Sequence, residues 1–578
     1  LLLILGWVVL PDPWFWITFV TALAILPPLL FSAWGALRKP QEISLWQHFR
    51  YSFRNTSKTI LQVLFGLVTL PYEAMVSADA IVRTLFRLII SRRKLLEWNP
   101  SGFLPSRKEN LADPYRTMRV APLVGFLVLS WLVYYSSYVD LLIVLPYLLA
   151  WIASPAIVWW MSLPLPYFKQ TLSNDQQNRL RELARKTWAF FEETVAPGDN
   201  WLPPDNLQLF PEPILAHRTS PTNIGLALLA NLSAWDFGYL TTDQLLSRTG
   251  HTLDAMDKLQ RYAGHFFNWY DTQTLQPLAP RYVSTVDSGN LAGYLLTLRQ
   301  GLLDLPGQKC IDPKTIAGLL DTLRLLQHQL PDDPSLRDLA MAFEKLEQDV
   351  LFPWSGFRLE LEKLFSQYQQ MPAVSALPAG SEAHRWAKSL EEQFQAILAE
   401  ITHVAPWFAS SIPEKFNTLP GIQENLTLAE LADLDQSLEQ EAGVFFGTEH
   451  SPEEKTWLDT FRKSVHQASQ LARARIARIT GLAVRCEEFA NMEYDFLYDN
   501  SQHLLSIGYN VEEHRRDGNY YDLLASEARL GVFIAIAQGK IPQESWFALG
   551  RRLTSAGNTP VLLSWSGSMF EYLMPWLV

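Results

Sequence analysis

Carboxylates set among aromatic rings recur along this chain, and that combination is the one carbohydrate chemistry needs. Six stretches carry it: DNWLPPDN at 199–206, HFFNWYD at 265–271, PRYVSTVDSGNLAGYL at 280–295, LYDNSQHLLSIGYN at 497–510, NYYDLLASEARL at 519–530 and SWSGSMFEYLMP at 564–575. Aromatic faces stack on the C–H face of a pyranose, Asn, Asp and Arg side chains fix its hydroxyls, and two carboxyl groups supply acid, base or nucleophile. The 21 Trp residues make such platforms plentiful, although several belong to apolar segments. Other chemistries lack their residues. There is no phosphate-binding glycine loop, no dinucleotide fingerprint, no HExxH and no GxSxG. Cys310 and Cys486 are the two cysteines, far apart and without a Cys/His cluster, so neither a disulfide framework nor a zinc site is expected.

Two kinds of sequence must position these residues. The first 165 residues are saturated with Leu, Val, Trp and Phe, and the rest reads as an acidic soluble protein. Residues 1–37 carry only Asp12, residues 38–119 have a net charge of +8, and residues 120–578 have −18. A surface that acidic repels phosphate backbones, so no nucleic-acid partner is expected. The uncharged run from Trp14 to Trp34 is long enough to span a bilayer. The stretch from Val120 to Leu163, with Asp140 its one charge, suits two further helices turning near Ser136–Tyr138. The apolar segment 60–75 contains Pro71 and Glu73 and is expected to be interfacial or re-entrant. Residues 38–119 then form a basic loop with SRRKLLEW at 91–98 on the cytoplasmic surface, and the paired crossings return the acidic part to that side. The chain opens LLLILGWVVL without Met, basic n-region or cleavage site, so a piece of a longer multi-pass inner-membrane protein is expected rather than a signal peptide.

From residue 170 the pattern is helical. Asn174-Asp175 suits the cap of a helix, and others follow at about 221–235, 241–262 and 288–304, joined by long polar-aromatic loops. Residues 310–485 read as helix after helix with few loop motifs, an insertion or spacer. Within it Ser451-Pro452-Glu453-Glu454 opens a helix whose face carries Trp457, Phe461, Val465, Ala468, Ala472, Ile476 and Ile479. Arg473, Arg475 and Arg478 on that helix read as a solvated face, with an anion site as the other possibility. From 486 a small hairpin should precede a helix at 520–538. The fold class is mainly α, transmembrane helices followed by an (α/α)6 toroid with a helical insertion, interrupted at Val578.

The six stretches, in this order, resemble the glucoamylase-like domain of cyclic β-1,2-glucan synthases, and LPYEAMVSADAIVRTLFRLIISRRKLLEW at 70–98 resembles the end of their glycosyltransferase region. The resemblance covers essentially the whole chain, least in 310–485. It implies a polypeptide with three activities: an inverting transferase using UDP-glucose, a helical domain that cyclises the chain, and a phosphorylase-like domain. This chain would hold membrane helices of the first and most of the second, a retaining transglycosylase acting on linear β-1,2-glucan without metal or cofactor. Its partners would be the glucan chain, the lipid bilayer, and the transferase and phosphorylase-like parts of the same polypeptide.

Carried over residue by residue, Glu527 in LLASEARL is the candidate general acid/base, with a salt bridge to Arg529 as its non-catalytic alternative. The partner carboxylate is expected beyond Val578, and Glu571 in SMFEYLMP is the runner-up. Trp269, Tyr270, Asp271, Asp287, Asn290, Tyr521 and Asp522 are candidates for the substrate rim. Lacking the second carboxylate and the last helices, the chain alone is expected to be inactive. A membrane-tethered β-glucan hydrolase and a non-catalytic glucan-binding scaffold are the alternatives.

Overall fold

The structure is a computed structural model that describes residues 2–10, 12–39, 45–92, 111–163, 172–310, 312–348, 354–409, 412–413, 416, 419, 421–422, 424–445, 451–556 and 559–576. Residues 93–98 of the SRRKLLEW stretch lie outside them. The described chain is mainly α-helical and divides into two compact units, 1–170 with 553–561, and 171–552 with 562–578.

The first unit holds α1 (Leu2–Val8), α2 (Pro13–Leu37), α3 (Leu45–Phe86), α4 (Ala112–Thr117), α5 (Val120–Tyr135) and α6 (Tyr138–Ser162). Asp12 caps α2 by accepting from Phe15 N at 3.3 Å, and Pro13 takes the first helical position, where its missing N–H costs nothing. The turn between α5 and α6 falls at Ser136 and Ser137, and Ser137 caps α6 by accepting from Asp140 N at 3.2 Å. Three helices are long and apolar enough to cross a membrane: Pro13–Leu37, His48–Ser91 and Tyr138–Ser162.

Two expectations change here. The segment 60–75 is no re-entrant piece but the middle of α3, whose 42 residues extend about 63 Å, twice a hydrocarbon core. Pro71 fails to break it. A proline removes the N–H that would bond the carbonyl four residues back, and here that carbonyl, Leu67 O, accepts from the Trp151 indole of α6 at 3.0 Å. Within 38–119, residues 45–86 form one helix, and residues 40–44 and 93–110 lie outside the described residues. The Val120–Tyr135 helix, at 16 residues, falls short of the length expected for a crossing.

The second unit runs α7 (Asn174–Thr194), α8 (Pro221–Asp236), α9 (Thr242–Lys258), α10 (Thr285–Asp304), α11 (Lys314–Gln329), α12 (Pro334–Gln348), α13 (Trp354–Gln369), α14 (Pro372–Ser375), α15 (Glu382–Val404), α16 (Leu428–Phe445), α17 (Pro452–Ala490), α18 (Ala528–Ala537), α19 (Glu544–Ala548) and α20 (Met569–Leu573). The caps are Ser and Thr where the sequence offers them. Ser173, Thr241 and Ser451 form reciprocal capping boxes with Gln176, Gln244 and Glu454.

Helix α10 is the centre of the main core. Leu291, Leu295, Leu298 and Leu302 are fully buried on it, each contributing roughly 2 kcal/mol, and α8, α17 and α18 pack around it. Phe461, Val465, Ala468, Ala472 and Ile479 of α17 enter that same core, while α11, α12, α13 and α15 build a second cluster around Leu323, Phe343, Trp386 and Phe394. Residues 310–485 thus lie within the same compact unit as the helices flanking them. Of the three arginines read as a solvated face, Arg478 is exposed, Arg473 half-buried and Arg475 largely buried. Arg475 pairs with Glu400 of α15, Arg473 with Asp435 of α16, and Arg478 donates to Leu246 O of α9 at 3.2 Å.

The expected small hairpin is present, and a third short strand joins it. Strand β1 (Tyr282–Ser284) pairs antiparallel with β2 (Gly508–Asn510), which pairs with β3 (Arg515–Arg516); Val283 faces Tyr509, and Asn510 faces Arg515. Helix α18 starts at Ala528 rather than near 520. Residues 522–524 are held extended instead, with Leu524 N donating to Gly550 O at 2.9 Å and Gly550 N to Asp522 O at 2.6 Å.

Candidate active site

Strand β1 runs straight into α10 through Ser284, whose hydroxyl accepts from Asp287 N at 3.3 Å. The first turn is pinned a second time, because Thr285 N donates to Ile507 O at 3.1 Å and Thr285 Oγ1 to Ser506 O at 2.6 Å. Asp287, Asn290 and Tyr294 then follow at helical spacing and share one face of α10. Two glycines let other helices reach that face. A Cβ on Gly225 of α8 would lie 2.5 Å from the Tyr294 ring, and a Cβ on Gly289 would lie 2.3 Å from Gly531 Cα of α18. The second contact brings Glu527, the residue before α18, over Asn290.

A hydrogen-bonded chain results. Asn290 Nδ2 donates to Glu527 Oε2 at 3.4 Å and to Thr222 Oγ1 at 3.2 Å, and Thr222 Oγ1 donates to Asp287 Oδ1 at 2.6 Å. With the Asn268 amide oriented to satisfy its neighbours, its nitrogen donates to Asp287 Oδ2 at 3.0 Å and its oxygen accepts from Trp269 Nε1 at 3.2 Å. Asp287 is therefore held by two donors, while Glu527 has one long one.

The electrostatics follow. Burial pushes the Glu527 carboxyl up to about 7; the Asn290 amide opposes this, and the charges of Asp287 and Glu571 add to it. Tyr521 is pushed up to about 12 by burial and then by Glu527, Asp287 and Glu571, which places all four in one electrostatic neighbourhood. Tyr294 is raised by burial and by the charges of Glu527 and Asp287. Glu571 behaves oppositely. It is 7 % exposed, and burial works to raise it, but donors from Ser564 and Ser566 hold it below the usual glutamate value. Its Oε2 accepts from the Ser564 hydroxyl and from Ser566 N at 3.0 Å, and its N–H donates to Ser568 Oγ at 3.3 Å. Two carboxyl groups driven apart in proton affinity are the arrangement that divides acid from base duties. Arg529 donates to Tyr572 O at 3.3 Å, beside Glu571 in sequence.

The candidate rim divides. Asp287, Asn290 and Tyr521 join Glu527 and Glu571, and Trp269 reaches the group through Asn268. One face of Trp269 is covered by the Arg218 guanidinium, 4.8 Å from the ring centroid. Tyr270 is wholly buried; its hydroxyl accepts from Phe267 N at 2.7 Å and donates to Gln260 O at 2.6 Å. Asp271 closes a turn, Oδ1 accepting from Thr274 N at 2.7 Å and Gln273 N at 3.0 Å, and these bonds lower its pKa. Asp522 stands in the extended segment beside Gly550. Thr222, Tyr294 and Ser564 were not singled out from sequence; Tyr294 and Ser564 sit inside quoted motifs, whereas nothing about Thr222 marked it. Among the described residues, no protein partner reaches the buried atoms Asn290 Oδ1, Tyr294 Oη or Asp522 Oδ1. No group of three or more His, Cys, Asp or Glu side chains is arranged to hold a metal ion among the described residues.

Comparison with known proteins adds the following. No family model matches the chain. A glucoamylase-like protein of Bacteroides fragilis, known from a crystal structure, aligns with 33 % of this chain and 40 % of its own at 16 % identity, with a TM-score of 0.17, and nothing below rests on it. The cyclic beta-(1,2)-glucan synthase NdvB of Rhizobium meliloti (strain 1021) is 32 % identical over 584 residues, covering all of this chain. The chain spans 19 % of that relative's length. Along its whole length, the chain is therefore similar to one segment of a cyclic β-(1,2)-glucan synthase, the family its motifs resemble.

Proposed function

We propose that the chain is part of a membrane enzyme that makes cyclic β-1,2-glucan, and that the second unit carries the ring-closing step, with its helices contributing to an (α/α)6 toroid. The observation that carries this reading is the Glu527 carboxyl, poised at about 7 beside Asp287 and Glu571. A group with that proton affinity can give and take a proton at neutral pH. Glu527 protonates the leaving glycosidic oxygen while a second carboxylate attacks C1 and becomes glycosylated. Glu527 then takes the proton from the 2-hydroxyl at the chain's other end, and that oxygen displaces the carboxylate. One β-1,2 bond breaks and one forms, with no oxidant and no net water. Asn290, Asp287 and Tyr521 orient the sugar, with Trp269 and Asp522 as further rim candidates. The second carboxylate lies downstream of this chain on the family resemblance, and Glu571 is its alternative here.

The test is Glu527→Gln in the intact parent enzyme. Elongation from UDP-glucose uses another site and should continue, while cyclic product falls by a factor of about 10²–10⁴ or more, because an amide cannot shuttle a proton. Undiminished ring formation would refute the assignment. The purified chain alone is expected to leave linear β-1,2-glucan unchanged, and turnover would make Glu571 the second carboxylate. The second unit is assigned to the cytoplasmic side on the net charge of +8 across residues 38–119, which requires α5 to cross together with α6 despite its 16 residues. Export of a reporter fused after Gln170 would reverse that orientation.

A further inference from the structure

The first fourteen residues of α3, which overlap the start of the His48–Ser91 span, carry two stripes outside the candidate site. On a helix of 3.6 residues per turn, Leu45, Trp46, Phe49 and Phe53 share one face, and Arg50, Arg54 and Lys58 form a row along the adjoining face at four-residue intervals. The apolar stripe meets little protein, with Trp46 71 %, Phe49 63 % and Phe53 67 % exposed, and Arg54 and Lys58 are exposed beside it. The end of α2 repeats the pairing at the same level. His48 Nε2 lies 2.9 Å from Ala36 O, tying the start of α3 to the last turn of α2, where the Arg38 guanidinium covers the Trp34 ring at 4.8 Å from its centroid.

Aromatic rings beside cations, at the end of an apolar span and the start of another, suit the boundary between hydrocarbon and headgroup. A zwitterionic surface satisfies the rings alone, and a row of three cations calls for an anionic one. We propose that residues 45–58 of α3, with Trp34 and Arg38, form a binding surface for anionic phospholipid headgroups. The rings seat in the boundary layer and the Arg50–Arg54–Lys58 row engages phosphate and other anionic groups. Lys58, nearest the apolar segment, extends its stem along the helix to bring its ammonium outward. This rests on the chain being membrane-embedded, and not on the assignment of any catalytic residue.

The experiment reconstitutes the full chain in nanodiscs made from equal amounts of phosphatidylglycerol and phosphatidylcholine and measures which lipid stays with the protein after mild detergent extraction. Each cation near an anionic surface is worth roughly fivefold in binding. The triple variant R50Q/R54Q/K58Q should therefore lose about tenfold or more of the preference for phosphatidylglycerol, and high salt should erase it in the unsubstituted chain. The R50K/R54K variant keeps the charge and should keep the preference, which separates lost charge from lost folding. A second readout places an environment-sensitive dye at Phe53→Cys in a chain whose Cys310 and Cys486 are replaced by Ser. Its emission should be blue-shifted in phosphatidylglycerol discs. An unchanged lipid preference in the triple variant, its loss in R50K/R54K, or a dye that reports bulk water would each overturn the proposal. Failure of the chain to enter nanodiscs at all would instead overturn the membrane reading beneath it.

Discussion

Gly289 of α10 and Gly531 of α18 cross so closely that a Cβ on the first would stand 2.3 Å from the Cα of the second. This crossing sets how far Glu527 sits from Asn290. Gly289→Ala forces the helices apart, and we expect a stability loss of about 1–3 kcal/mol from overpacking. Displacing the carboxyl by about 1 Å should cut ring closure by on the order of 10². Thermal unfolding and cyclic-product assays of the intact enzyme read the two effects. Full activity in Gly289→Ala would mean the crossing does not position Glu527.

Asn290 donates to Glu527 Oε2 and so favours the ionised carboxylate. Asn290→Leu removes that donor, and the alkaline limb of the pH–kcat/KM profile should move upward from about 7. A limb that stays in place would mean another group titrates there.

Glu527 also bears on stability. Its folded pKa of about 7 lies above the ordinary 4.5, so between those values the folded chain keeps a proton the unfolded chain has lost, and stability falls as pH rises through that window. Glu527→Gln relieves the cost. The variant should be more stable than the parent by about 1–2 kcal/mol above pH 7, allowing for the partial exposure of the carboxyl, with the two converging below pH 4.5. Unfolding temperatures at both extremes decide it.

Arg475 and Glu400 are 13 % and 8 % exposed and bridge α17 to α15. Burial raises the Glu400 carboxyl and Arg475 pulls it back. Arg475→Ala strands a buried carboxylate, for which we expect a loss of about 3–5 kcal/mol, whereas Arg475→Met with Glu400→Leu should recover most of it. Equal destabilisation of the single and double variants would show that packing, not charge, sets the value.

What the sequence revealed was local and what it concealed was not. The capping signals are short-range, so Ser451 and its Glu454 were legible, and the cap before α7 was missed by one residue, Ser173 in place of Asn174. The apolar stripe of α17 was legible from its spacing, but its partner α10, about 170 residues earlier, was not; hence residues 310–485 read as a spacer. Nothing near Pro71 in sequence showed that the helix continues through it, because the indole that satisfies Leu67 O comes from Trp151. Within the site, Glu527, Asp287, Asn290 and Glu571 were marked by the family motifs. Thr222 joins them only because α8 packs on α10. Tyr270 and Asp271 looked equally suited to a sugar, and their hydroxyl and carboxylate are bound instead to their own loop.

The core around α10 has a cost in time. Its apolar face needs α17 and α18, and about 190 residues separate the end of α10 from the end of α17. At a synthesis rate of about 5–20 residues per second, Leu291, Leu295, Leu298 and Leu302 wait on the order of 10–40 s for the helix that covers them, with only α8 already made to shield one side. Pairings this distant in sequence are slow to form even in a finished chain. A ribosome translating this gene thus carries an uncovered leucine face for much of the second unit, and the need for a holding chaperone is greatest between the emergence of α10 and that of α17.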